Sequence, residues 1–295
     1  MALLGFVDEG RSGNGRSDMS AASWGRVIRA GVKKNWVLSV TYPSWVLNRI
    51  FGPIVWVGIS VFSYTALVPA SDVRDAFVRS GQGPDFVTFL ILGQTIFSLF
   101  TNLNWRGGMA IQRERWQGTL EIIMLAPTSR VAYILGESLF GLIDGGWTVL
   151  LALVVTGIAF GAGFHVADPA LALAVLALTL SAMVALSLFF AAFYVLTRSA
   201  GPLSFAIQTP VRFFTGTNFP VSALPVLLQT VSYALPMTYG MIAVRQVFTG
   251  AGTWASLSPT LLALTGFTVF FWTLGVILIR RMETLAKERG TLHHY

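Results

Sequence analysis

The chain contains no cysteine, which excludes disulfide frameworks, thiolate zinc sites and cysteine nucleophiles. Histidine is scarce: His165 is isolated, and His293 and His294 close the C-terminus, where they read as a solvated tail rather than a metal site. Lysine occurs only as Lys33, Lys34 and Lys287, and none follows a glycine. A P-loop needs a lysine reaching the β/γ-phosphates from a glycine-rich turn, so no ATP site of that form can be built here. There is no G-x-S-x-G elbow and no HExxH pair, which argues against a membrane-embedded hydrolase. Charge is also thin, at 11% of residues against about 25% in a soluble domain.

What is present is apolar. Of 295 residues, 54% are hydrophobic, and mean hydropathy is +0.68. Long uncharged runs make this an all-α, polytopic membrane protein. The net charge of +7 then reads as a positive-inside bias, not as a nucleic-acid footprint.

Residues 1–19 are rich in Gly, Ser and charge and are expected to be a disordered tail. Residues 20–44 hold an expected interfacial helix. Trp24, Val27, Ile28, Gly31, Val32 and Asn35 line one side, while Arg26, Arg29, Lys33 and Lys34 line the other. Residues 45–281 are expected to cross the membrane six times. The spans are Trp45–Val68, Phe86 to about Ile111, Val131–Phe164, Pro169–Thr197, Pro202–Gly216 and Pro259–Ile279. Residues 282–295 form a charged tail. Pro220, Pro225 and Pro236 cut residues 217–250 into pieces too short to cross a bilayer, which predicts a hairpin that enters and leaves on one face, buried against protein. In this layout 16 of the 20 Lys and Arg residues lie on the inner side, Arg49 and Arg106 at the inner ends of their spans, and only Arg74, Arg79, Arg212 and Arg245 do not. Both termini are then cytoplasmic and the membrane is the cell membrane.

A charged interruption, residues 112–129, follows the second span. Gly118 can break a helix, Thr119 can cap the next one, and Glu121 would sit in its first turn. Leu120, Ile123 and Met124 fall at i, i+3 and i+4, giving one apolar face, and Pro127 ends it. The segment reads either as a docking element for a soluble partner or as a connecting loop on the lipid surface.

Glu114, Gly118-Thr119-Leu120-Glu121 and Pro127 resemble the loop after the second span of ABC type-2 exporter permeases. The N-terminal helix, the six-span order and the proline-broken hairpin, with Leu235-Pro236-Met237-Thr238-Tyr239, Arg245 and Gly250, resemble the same family. The resemblance implies a coupling helix contacting a separate ATPase subunit that binds ATP and Mg, so this chain itself holds no cofactor. It also implies a second permease copy or a paralogous permease, a lipid environment, and export of a drug, antibiotic, lipid or glycan.

Intramembrane acids are functional candidates by default. Glu137 and Asp144 lie two turns apart on one face of the third span, and Gly145-Gly146 permits close helix approach beside them. They are read as substrate contacts, as helix-packing pairs, or as proton carriers in an alternative secondary transporter. Arg212 and Arg245 are the further candidate polar residues of the pathway.

Overall fold

The computed structural model describes residues 21–41, 43–67, 86–120, 122, 129–161, 163–197 and 200–288. The expected tail 1–19, the loop 71–85 and the last seven residues lie outside them. The described residues form helices α1 (Ala21–Thr41), α2 (Pro43–Leu67), α3 (Phe86–Leu103), α4 (Ala110–Trp116), α5 (Arg130–Phe160), α6 (Pro169–Leu196), α7 (Ala200–Phe214), α8 (Val226–Tyr233), α9 (Pro236–Phe248) and α10 (Trp254–Glu288). A π-helical turn, Asn104–Gly108, continues α3, and a 3-10 turn, Val221–Ala223, precedes α8. The β contact found among these residues is an isolated bridge between His165 and Thr249.

Four stretches are long and apolar enough to cross a membrane: Phe86–Gly108, Arg130–Ala159, Pro169–Val195 and Trp254–Arg281. The expected first and fifth spans are helical but fall outside that measure. In α2 the apolar stretch is Ile54–Tyr64. The 15 residues of α7 rise about 22 Å, short of a hydrocarbon core of about 30 Å. Just past α7, Gly216 adopts a φ of 77° and the chain turns into the proline-broken segment.

That segment divides where its prolines predict. Pro225 stands before α8 and Pro236 is the first residue of α9. At a first helical position the missing N–H costs nothing. The α9 arm is buried through Met237, Met241, Val244 and Val247. On the α8 arm Val226 and Leu227 are exposed.

The core lies between α3, α6, α9 and α10. Phe100, Leu103, Leu171, Val175, Met241, Val244 and Leu257 pack there. A second cluster joins α4, α5, α6 and α10 through Ile111, Ile134, Leu188 and Ile279, and Trp24 and Leu120 pack against it. The side of α1 expected to be apolar is the side turned inward, with Gly31 and Asn35 buried and Arg26, Arg29 and Lys33 exposed. It packs on α5: a Cβ on Gly31 would lie 3.7 Å from the Gly136 Cα, and one on Gly136 would lie 3.2 Å from the Ile28 Cα. Facing glycines let the two backbones meet.

The last helix begins five residues before the expected Pro259. Thr253 and Ser256 cap it reciprocally: Ser256 N–H donates to Thr253 Oγ1 at 3.2 Å, and Thr253 N–H to Ser256 Oγ at 3.0 Å. This is a capping box. Pro259 cannot donate to the Ala255 carbonyl, but the Ser258 hydroxyl does, at 3.0 Å. The helix therefore runs through the proline without leaving that acceptor orphaned.

Candidate functional site

The charged interruption begins in α4, and three consecutive residues fasten it to three different helices. Arg113 Nη2 donates to Glu137 Oε2 of α5 at 2.5 Å. The Glu114 carboxylate accepts from Lys34 Nζ of α1 at 2.9 Å and from the Tyr133 hydroxyl of α5. Arg115 donates to the Val195 and Thr197 carbonyls, both at 3.3 Å. These are at the end of α6, where a helix leaves carbonyls unpaired.

Glu114 is buried. Its burial acts to raise the carboxyl pKa, but hydrogen bonds from Thr119, Tyr133 and Lys34 outweigh it and hold the carboxyl below the usual carboxylate range. Gly118, at φ 70°, ends the α4 segment in a left-handed turn that glycine takes without strain. Thr119 follows, and its hydroxyl donates to Glu114 Oε2. The chain is helical again at Leu120 and Ile122. Leu120 is turned inward onto the second core cluster, whereas Ile122 is 69% exposed and Trp116 56% exposed. Glu121, Ile123, Met124 and Pro127 lie outside the described residues.

The two intramembrane acids are held by cations of the same chain. Glu137 is 0% exposed. Besides Arg113 it takes a hydrogen bond from Asn35 Nδ2 at 2.7 Å and lies 3.3 Å from Lys34 Nζ. Asp144 pairs with Arg106 Nη2 at 3.4 Å. Arg106, in the π-helical turn, also donates to Asn35 Oδ1 at 3.2 Å and lies over the Phe140 ring. Lys34, Arg106 and Arg113 thus balance Glu114, Glu137 and Asp144. A buried charge is tolerated when paired and hydrogen-bonded, and this is the helix-packing arrangement for both acids. The proton-carrier alternative draws no support from it. Of the two glycines beside Asp144, Gly145 approaches Leu99 and Asn102 of α3, while Gly146 faces open space.

The π turn itself is closed by polar contacts. Asn104 Nδ2 donates to Ser204 Oγ of α7 at 2.8 Å and meets the Tyr194 hydroxyl of α6 at 3.2 Å. Such turns leave backbone groups out of register and often mark functional positions.

The remaining candidates lie toward the other end of the bundle. Arg245 of α9 is buried and donates to the carbonyls of Gly216 at 2.6 Å, Thr217 at 3.0 Å and Phe89 at 3.2 Å. Gly93 leaves the space that the Thr217 carbonyl and this guanidinium occupy. Arg212 of α7 donates to Gln94 Oε1 at 3.0 Å and lies over the Trp56 and Phe97 rings. Gln94 in turn donates to Asn218 Oδ1 at 2.6 Å and Ser60 Oγ at 2.9 Å. Pro220 and Pro225 flank the 3-10 turn nearby.

Sequence reasoning paired neither Lys34 with the loop nor Asn35 with Glu137, and it missed Tyr133 and Gln94. The one local signal was Asn35, a polar residue on the apolar side of α1.

A family model described as ABC-2 type transporter matches residues 26–249, from α1 through α9. No curated protein matches the chain.

Proposed function

The chain belongs to the ABC-2 type transporter family, and from that membership we propose that it is the permease subunit of an ATP-driven exporter whose ATPase is a separate polypeptide. It is a multi-pass membrane protein of the ABC transporter permease class. In our reading α2 and α7 complete a six-span body, both termini are cytoplasmic, and residues 217–250 form an external re-entrant hairpin. Two permeases, identical or paralogous, enclose the pathway for a drug, antibiotic, lipid or glycan-type cargo. The partner ATPase binds ATP and Mg.

The observation that carries this reading is the mounting of the loop. Arg113, Glu114 and Arg115 fix its near side to α5, α1 and α6, while Trp116 and Ile122 face outward. A loop pinned to the spans and apolar on its free side can receive a push and pass it on. A connector lying on lipid has no need of three anchors. In this role Gly118 and Thr119 set the turn, and Leu120, Glu121, Ile123, Met124 and Pro127 complete the coupling element. The exposed apolar α8 arm, at Val226 and Leu227, suits a hairpin whose free face is covered by a second permease.

The test is reconstitution. Purified chain in lipid should show only background ATP hydrolysis, and vanadate-sensitive hydrolysis should appear when an ATPase subunit from the same cell co-purifies. Vanadate-sensitive turnover by this chain alone would defeat the proposal.

A further inference from the structure

The ion-pair cluster around Glu137 accounts for its own charges; Arg212 does not. Among the described residues no carboxylate lies within ion-pair distance of its guanidinium, and its one hydrogen-bond acceptor is the neutral Gln94. Its Nε, shielded from solvent, has no partner among them either. An arginine carries five N–H donors, so most of this fork meets no acceptor.

Its position makes that unusual. The guanidinium carbon lies 5.4 Å from the ring centroid of Phe97, which stands midway along the candidate span Phe86–Gly108. A cation at that depth is costly, and such residues pair with acids or carbonyls or mark a substrate path. Arg245 takes the first course, spending itself on three carbonyls. Arg212 is sustained by weaker means. It is in the last turn of α7, where the helix dipole favours a cation, and Trp56, with its ring centroid 4.9 Å away, and Phe97 supply π faces. These contacts hold the charge without neutralising it.

The surroundings describe the ligand. Trp56, Ile59 and Val55 of α2 and Phe205 and Phe213 of α7 are exposed, so apolar surface lies on both helices that bear the site. We propose that Arg212, with Gln94 beside it and Trp56 and Phe97 as walls, binds the anionic headgroup of an amphiphilic cargo, a phosphate or carboxylate on an apolar body. The guanidinium fork matches either group in two-point fashion, and the aromatic walls take the adjoining carbon chain. Gln94 Oε1 would give way to the anion, while Gln94 Nε2 stays tied to Asn218 and Ser60. This rests on the transporter reading above, since it names the class of cargo.

The probe is radiolabelled dodecyl phosphate, bound to the full chain in phosphatidylcholine nanodiscs without any ATPase. Saturable binding is expected, displaced by unlabelled dodecanoate or by phosphatidylglycerol included in the disc, and not by dodecyltrimethylammonium. Displacement by the phospholipid points to a membrane lipid as the source of the headgroup, and displacement by dodecanoate alone points to a free amphiphile. Arg212→Gln should weaken binding about tenfold or more, the scale of a charge-assisted hydrogen bond, and Arg212→Lys less. The charge preference of the wild-type chain needs no variant, so a poorly folding Arg212→Gln does not blunt the test. Absence of saturable binding, equal displacement by the cationic amphiphile, or unchanged affinity in a folded Arg212→Gln would overturn the proposal. None of these outcomes bears on ATPase pairing, so the two readings fail separately.

Discussion

Lys34 of α1 reaches the Glu114 carboxylate at 2.9 Å and stands 3.3 Å from Glu137 of α5. One ammonium group therefore bridges the N-terminal helix, the charged loop and the buried acid of α5. Movement of the loop cannot leave α1 and α5 behind without breaking this bridge.

Glu137→Ala should strip Arg113, Asn35 and Lys34 of their shared buried acceptor. Breaking one side of a buried pair costs about 3–5 kcal/mol. A marked fall in the thermal midpoint of detergent-solubilised protein, followed by fluorescence size-exclusion, is expected. Glu137→Gln, which keeps an acceptor oxygen, should fall less. Equal melting of Glu137→Ala and wild type would show that the cluster contributes nothing.

Arg106 and Asp144 should behave as a pair. Asp144→Asn and Arg106→Gln should each destabilise, and the charge-balanced double variant should recover part of the loss, with a coupling of about 0.5–3 kcal/mol. Simple additivity in the double-mutant cycle would count against the pairing.

The pH dependence follows from Glu114. Its carboxyl is held below its ordinary value of 4.5. A group lowered on folding adds stability that is fully present above the unfolded value and is lost as pH falls through the folded one. Stability from this group should therefore be unchanged from neutrality to about pH 5 and drop only in stronger acid. Glu114→Gln should flatten that part of the melting profile, and a variant profile that still parallels wild type would assign the acid loss elsewhere.

Gly136→Val should push α1 off α5, because a Cβ there would already meet Ile28 at 3.2 Å. Overpacking of this kind costs about 1–3 kcal/mol. The expected signs are a lower melting midpoint and faster amine labelling at Lys34. Wild-type labelling would mean that the contact yields without displacing the helix.

The helical class, the two-sided character of α1 and the proline cuts at Pro225 and Pro236 were legible in the sequence, because each follows from local periodicity or a missing N–H; the packing of α1 on α5 was not. The start of α10 was not. Pro259 is a strong stop signal on its own, and only the hydroxyls of Ser256 and Ser258 reverse it. The loop's partners were hidden for a different reason. Glu114 meets Lys34 80 residues away and Arg115 meets Thr197 82 residues away, distances over which a single sequence carries no pairing signal. Glu114, in sequence one residue of the loop motif, therefore gave no sign that it is buried inside the bundle. Leu120 likewise fits the expected apolar face by spacing, yet packs on the permease's own core.

That last difference sharpens the decisive experiment, which is recovery of the ATPase subunit with affinity-purified permease carrying either Ile122→Asp or Leu120→Ala. Ile122 is exposed, and anchors buried at an interface are worth about 2 kcal/mol or more. The account predicts that Ile122→Asp leaves the permease folded and in the membrane but loses the ATPase, whereas Leu120→Ala lowers permease stability first. Undiminished ATPase recovery and undiminished export with Ile122→Asp would contradict the claim that this loop couples the permease to its motor.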